Sequence, residues 1–127
     1  MDACAHGAEV LIVQGGINDI AQGRDLEPAA ANLRAMVRRG QELGLRVALA
    51  DVLPWNNGWP DAEPKIRRLN ELIGEIARDE DVPLLAFHDV LEDPDRPGRM
   101  RKEWTSDGDH PSEEGYRRLA EVAFRLP

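Results

Sequence analysis

Three short apolar runs separated by stretches of helical period constrain this chain more than anything else in it. Val10-Leu11-Ile12-Val13 is unbroken and rich in β-branched residues, Val47-Ala48-Leu49-Ala50-Asp51-Val52-Leu53 is nearly so, and Val82 to Phe87 repeats the pattern with Pro83 near its start. Apolar runs of this length without polar alternation suit strands covered on both faces. After Pro28, the residues Leu33, Met36, Val37 and Leu43 recur at helical spacing with Gly44 as the stop, and Ile66, Leu69, Ile73, Ile76 and Ala77 do the same after Pro64. The spacing predicts strands over about 9–14, 47–53 and 82–87, with helices over about 28–43 and 64–78. A last helix follows Pro111-Ser112, with Ser112 as its N-cap and Leu119, Val122, Ala123 and Leu126 as its inner stripe. The order β-α-β-α-β-α implies parallel strands joined by right-handed crossovers, with helices on both faces, a three-layer α/β/α fold.

The length of 127 residues, 42% of them hydrophobic, supports one core, and we read residues 1–127 as a single domain. Residues 1 to 8 read as the end of a helix and a connection, and residues 92 to 106, punctuated by Pro94, Pro97 and Gly98, as an irregular excursion. A net charge of −8 with no basic run argues against nucleic acid as a partner. The single cysteine, Cys4, forms no internal disulfide, and no stretch approaches membrane-spanning length. The first residues lack the basic start and apolar run of a signal peptide, so the expected location is the cytoplasm, with secretion left open if a further segment precedes Met1.

Open α/β sheets bind ligands beyond the carboxyl ends of their strands, so the loops there carry the functional expectations. Gly15-Gly16-Ile17-Asn18-Asp19-Ile20 follows the first strand as a tight glycine loop. Trp55-Asn56-Asn57-Gly58-Trp59-Pro60 follows the second, and Trp55, Asn56 and Trp59 can wall a substrate pocket or simply cover the end of the core. After the third strand comes Asp107-Gly108-Asp109-His110-Pro111. A carboxylate three positions before a histidine can fix the imidazole tautomer through one ring nitrogen and leave the other to take a proton. An isolated motif of this kind also reads as a helix cap. His88, a lone histidine at a strand end, reads as a structural group, and Asp109 as solvent-facing.

The glycine-asparagine loop and the Asp-x-x-His loop, with Gly115-Tyr116 inside the last helix, resemble signature blocks of the SGNH, or GDSL-type, hydrolases. The resemblance covers essentially the whole chain. It implies a flavodoxin-like parallel sheet and the hydrolysis of carboxylic esters, with small acyl or aryl esters as substrates and neither metal nor cofactor. It further implies that Asn18 donates its amide to the oxyanion, that Gly16 belongs to the same loop, that His110 is the general base and that Asp107 orients it. Asp19 would brace the loop. The chain departs from the family at one block: it has no Gly-Asp-Ser nucleophile, and its only serines are Ser106 and Ser112. Ser106 is a weak substitute, because it adjoins Asp107.

What remains corresponds to the last three strands of the family fold, lacking the first two, with no identified nucleophile. In the family's strand order the strand at 9–14 would then be an open edge, and we expect a homo-oligomer formed through it. The alternative to an esterase is a non-catalytic pseudo-hydrolase, or a fragment, that binds a ligand or partner.

Overall fold

The computed structural model describes residues 9–123 and 125. In chain order the elements are β1 (Val10–Val13), α1 (Ile17–Ala21), α2 (Leu26–Glu42), β2 (Arg46–Ala50), a 3-10 turn (Asn56–Gly58), α3 (Glu63–Asp79) and β3 (Leu84–Leu85). There follow α4 (Phe87–Leu91), β4 (Glu92–Asp93), β5 (Arg96–Met100), a second 3-10 turn (Lys102–Trp104) and α5 (Glu113–Ala123). The first three strands form a parallel sheet in the order β1-β2-β3, with Val13 opposite Leu49 and Ala50 opposite Leu85.

The central strand divides the core by side-chain size. Val47 and Leu49 of β2 belong to a cluster with Val13, Leu33 and Val37 and with Ile66, Leu69 and Ile73 of α3. Ala48 and Ala50 point the other way, into a second cluster with Leu85, Leu91, Met100 and Leu119. Helices α2 and α3 thus cover one face, α4 and α5 the other, and the α/β/α layering expected from the sequence is the one observed. The sheet approaches α2 closely at Gly40, where a Cβ would lie 2.8 Å from Val47 and 2.9 Å from Leu11.

The helix boundaries follow ordinary chemistry. Helix α2 starts two residues before Pro28, since a proline within the first turn gives up only an N–H that has no intrahelical partner. It ends in a Schellman motif, with Leu45 N donating to Gly40 O, Gly44 N donating to Gln41 O, and Gly44 at φ 78°. In α5, Ser112 Oγ accepts the N–H of Gly115 at 3.2 Å, the expected N-cap bond.

Four expectations need correction. The second strand, expected over about 47–53, spans Arg46–Ala50. The third strand shrinks from 82–87 to Leu84–Leu85, because Pro83 has no N–H to give and the chain turns into α4, whose His88 N–H is captured by Asp51 Oδ1 at 2.8 Å. His88 and Asp89 are therefore helical residues and close no strand. The excursion at 92–106 contains an antiparallel pair, β4 with β5. Finally, the loop after β1 runs only to Gly16 before α1 begins.

Strand β1 is at the sheet edge, and Val10 and Ile12 are 37% and 42% exposed. Among the described residues no helix is long and apolar enough to cross a membrane. The expectations for residues 1–8, including Cys4, and for Leu126 lie outside the described residues.

Candidate active site

The Asp-x-x-His loop is closed by a bridge between Thr105 and Pro111 and turned by Gly108 at φ 85°. Asp107 serves it twice. Its Oδ1 accepts the backbone N–H groups of Asp109 and His110, each at 2.8 Å, while Oδ2 lies 2.9 Å from His110 Nδ1. The cap on α5 comes from Ser112, so Asp107 braces its own loop and the imidazole. The bond to the His110 ring, followed by the two backbone N–H donors, holds the Asp107 carboxyl well below the usual carboxylate range, at about 2. The same bond, with the charge behind it, raises the His110 pKa. With Nδ1–H donating to Asp107, the hydrogen-bond pattern assigns Nε2 as the acceptor nitrogen of neutral His110.

His110 lines a cleft of about 350 Å³ at the carboxyl ends of β1 and β2, together with Gly15, Gly16, Asn18, Trp55 and Tyr116. Its floor is apolar, from Ile17, Val52, Leu53, Pro54 and Leu119, so a few polar groups converge over a hydrophobic surface. Gly16, at φ 112°, turns the chain from β1 into α1 and sets Asn18 on the cleft rim; a Cβ there would stand 2.4 Å from Leu69 Cδ2. A hollow at the opposite end of the sheet, lined by Val10, Arg46, Asp81 and Pro83, contains none of the candidate site residues.

Of those residues, Gly16, Asn18, Trp55 and His110 share the cleft, and Asp107 stands directly behind His110. Asn56 and Trp59 do not line it. Asn56 clamps Met100 of β5 instead, accepting its N–H at 2.6 Å and donating to its carbonyl at 3.0 Å. Trp59 packs under the Arg99 guanidinium, 4.5 Å from the ring centroid. Ser106 is exposed and outside the cleft lining, and its N–H donates to His110 O. Asp19 faces Arg24 at 3.6 Å.

Two residues received too little weight in the sequence. Asp109 is exposed as expected, yet its Oδ1 accepts Trp55 Nε1–H at 2.6 Å and Asn57 Nδ2–H at 2.8 Å. Asn57 also donates to Asp107 O at 2.9 Å and, from its backbone, to Gly108 O at 3.3 Å. This clamp joins the tryptophan loop to the Asp-x-x-His loop across some fifty positions of sequence, and no local signal announces such a pairing.

A three-layer α/β fold with a histidine-carboxylate pair and an asparagine loop at the carboxyl ends of its parallel strands defines the class, and the comparisons give it a family. The model of the GDSL-like lipase/acylhydrolase family matches residues 2–118. The chain belongs to that family. A GDSL-like lipase from Bacteroides thetaiotaomicron superposes with a TM-score of 0.83 at 22% identity, over 92% of this chain and 60% of that one. A lipolytic G-D-S-L family protein from Desulfitobacterium hafniense gives 0.82 at 26% identity, over 98% and 68%. A variant of a Geobacillus acetyl-xylooligosaccharide esterase gives 0.74 at 18% identity, over 98% and 61%. The likenesses at 22% and 18% identity speak to the fold alone. This chain spans about three fifths of the length of the Bacteroides and Geobacillus structures. No curated protein matches it.

Proposed function

We propose that the chain carries the base and oxyanion-binding half of a carboxylic ester hydrolase acting on small acyl or aryl esters. The observation that carries this reading is the 2.9 Å contact of Asp107 with His110 Nδ1, behind a cleft that His110 shares with Asn18. In this reading His110 Nε2 takes the proton of the attacking oxygen and returns it to the leaving alcohol, while Asp107 holds the ring and stabilises the imidazolium. The Asn18 side-chain amide donates to the tetrahedral oxyanion, a role worth roughly 3 to 4 kcal/mol for one fixed donor. Trp55 and the apolar floor receive the acyl or aryl group.

The attacking oxygen is the open element. Ser112 Oγ donates to Glu103 O at 2.6 Å and accepts from Gly115 N, and neither it nor Ser106 lines the cleft. Water activated by His110, or a serine supplied by a partner, fills the role. The test is turnover of an activated aryl acetate by the chain as it stands, beside His110→Ala, Asn18→Ala and Ser106→Ala. We expect a loss of about 100-fold or more in His110→Ala, by analogy with the range for a positioned base, and no change in Ser106→Ala. Equal rates in the parent and His110→Ala would overturn the assignment.

The same lack of a cleft serine favours a second reading, a non-catalytic module or a fragment that binds a ligand or completes itself with a partner. Under it, a fluorophosphonate probe labels nothing, while the cleft still binds an uncleavable aryl amide.

A further inference from the structure

Away from the cleft, Glu63 at the start of α3, His88 in α4 and Glu92 in β4 bring one potential ligand atom each to within 4.8 Å of one another. Glu63 is 8% exposed and His88 5%. Both Glu63 carboxylate oxygens and His88 Nε2 are buried without a hydrogen-bond partner. Buried polar groups left in that condition are costly and seldom without a reason. The other ring nitrogen, Nδ1, lies 3.8 Å from the exposed Asp89 Oδ1, so Nε2 is the nitrogen available to a ligand.

Among the described residues, Arg67 is the side-chain cation that pairs with this group. Its Nε is 2.6 Å from Glu63 Oε1 without making a directed hydrogen bond, and its Nη2 is 3.3 Å from Glu92 Oε2. The Arg67 side chain is 54% exposed, so solvent can take up the guanidinium once a cation displaces it. The Glu92 carboxylate is further held by Gly98 N–H at 2.7 Å, and the buried Gly98 leaves room beside Glu63 that a Cβ would fill, at 2.8 Å from Cδ.

We propose that Glu63, His88 and Glu92 form a binding site for a divalent cation of the zinc type. One imidazole and two carboxylates are a donor set that zinc accepts, with water or a second carboxylate oxygen completing four-coordination. The cation displaces the Arg67 guanidinium and compensates two carboxylates that burial otherwise penalises. Its effect is structural. It ties the first turn of α3 to α4 and to the β4-β5 pair, the framework that Asn56 clamps beneath the tryptophan loop.

The experiment is calorimetric titration of Zn²⁺ into the EDTA-treated, dialysed full chain, with thermal unfolding in the same buffers. We expect one saturable site, a Tm that rises with Zn²⁺, and affinity weakened by about tenfold or more in His88→Gln and Glu92→Gln, the order of loss that disturbing a metal site brings. Arg67→Ala, at an exposed position, separates a metal site from a plain ion-pair cluster, because it removes the competing cation and so tightens Zn²⁺ binding. His110→Ala, which removes the other described histidine, leaves the stoichiometry unchanged. Absence of saturable binding, binding that survives both His88→Gln and Glu92→Gln, or binding lost in His110→Ala instead would overturn the proposal. If His88→Gln fails to fold by circular dichroism, Glu92→Gln and Arg67→Ala decide it.

Discussion

Alanine substitution at three glycines separates backbone strain from crowding, and Gly16 is where both converge beside the cleft. Gly16 has φ 112°, and an added Cβ would stand 2.4 Å from Cδ2 of Leu69, a side chain with no exposed surface and therefore no easy retreat. Gly23, at φ 70°, has nothing within 4 Å of its Cβ position. Gly40 is helical, and its Cβ would meet Val47 at 2.8 Å and Leu11 at 2.9 Å. A left-handed conformation costs a residue with a Cβ about 1 to 2 kcal/mol, and forcing a methyl into a packed core costs about 1 to 3. Gly23→Ala should therefore lose about 1 to 2 kcal/mol from strain alone. Gly40→Ala pays about 1 to 3 for crowding and recovers roughly 1 of it through helix propensity. Gly16→Ala combines both penalties at about 2 to 5 kcal/mol, a large share of a typical domain's 5 to 15. Urea denaturation followed by circular dichroism gives all three, with m-values checked for constancy. A Gly16→Ala loss no larger than that of Gly23→Ala would refute the crowding at Leu69, and with it the placement of the loop that carries Asn18.

Asp107→Asn should lower the His110 pKa from its raised value toward the ordinary 6.5, read by NMR titration of the ring; an unmoved value would mean that the 2.9 Å contact does not persist in solution. In the unaltered protein the pair has opposite linkages. The His110 contribution is present below pH 6.5 and lost as pH rises through the folded value, whereas that of Asp107 is present above its unfolded pKa near 3.8 and lost as pH falls toward about 2. Asp51 behaves the other way from Asp107, because burial raises its carboxyl from 3.8 to about 6 against the opposing pull of the His88 N–H. The folded state then binds more protons between those values, so stability falls as pH rises from about 4 to 6, by about 3 kcal/mol at most. Asp51→Asn should flatten that slope in denaturation curves, and an unchanged slope would count against the burial. The open β1 edge predicts self-association at micromolar concentration in sedimentation, weakened by Ile12→Lys, and a monodisperse monomer would contradict it.

What the sequence showed and what it concealed divide along the range of the interactions. Strand β2 and helices α2 and α3 were legible because their apolar periods arise within each segment, and Gly44 or Pro64 marks their ends locally. Strand β3 was misjudged because its length is set by Asp51, thirty-seven positions earlier, which captures the His88 N–H and converts an apolar run into a helix start. The antiparallel pair β4-β5 escaped notice because prolines and charges mask its short strands, and it is held by Asn56 from the other side of the chain. The site follows the same division. Asp107 and His110 are three positions apart, so their relation could be read from one loop, whereas Asn57 and Asp109 meet only through the folded chain. The tryptophan loop thereby changes meaning: Trp55 lines the cleft, but its indole N–H also holds Asp109 beside His110, so perturbing this loop displaces His110 as well as the pocket wall.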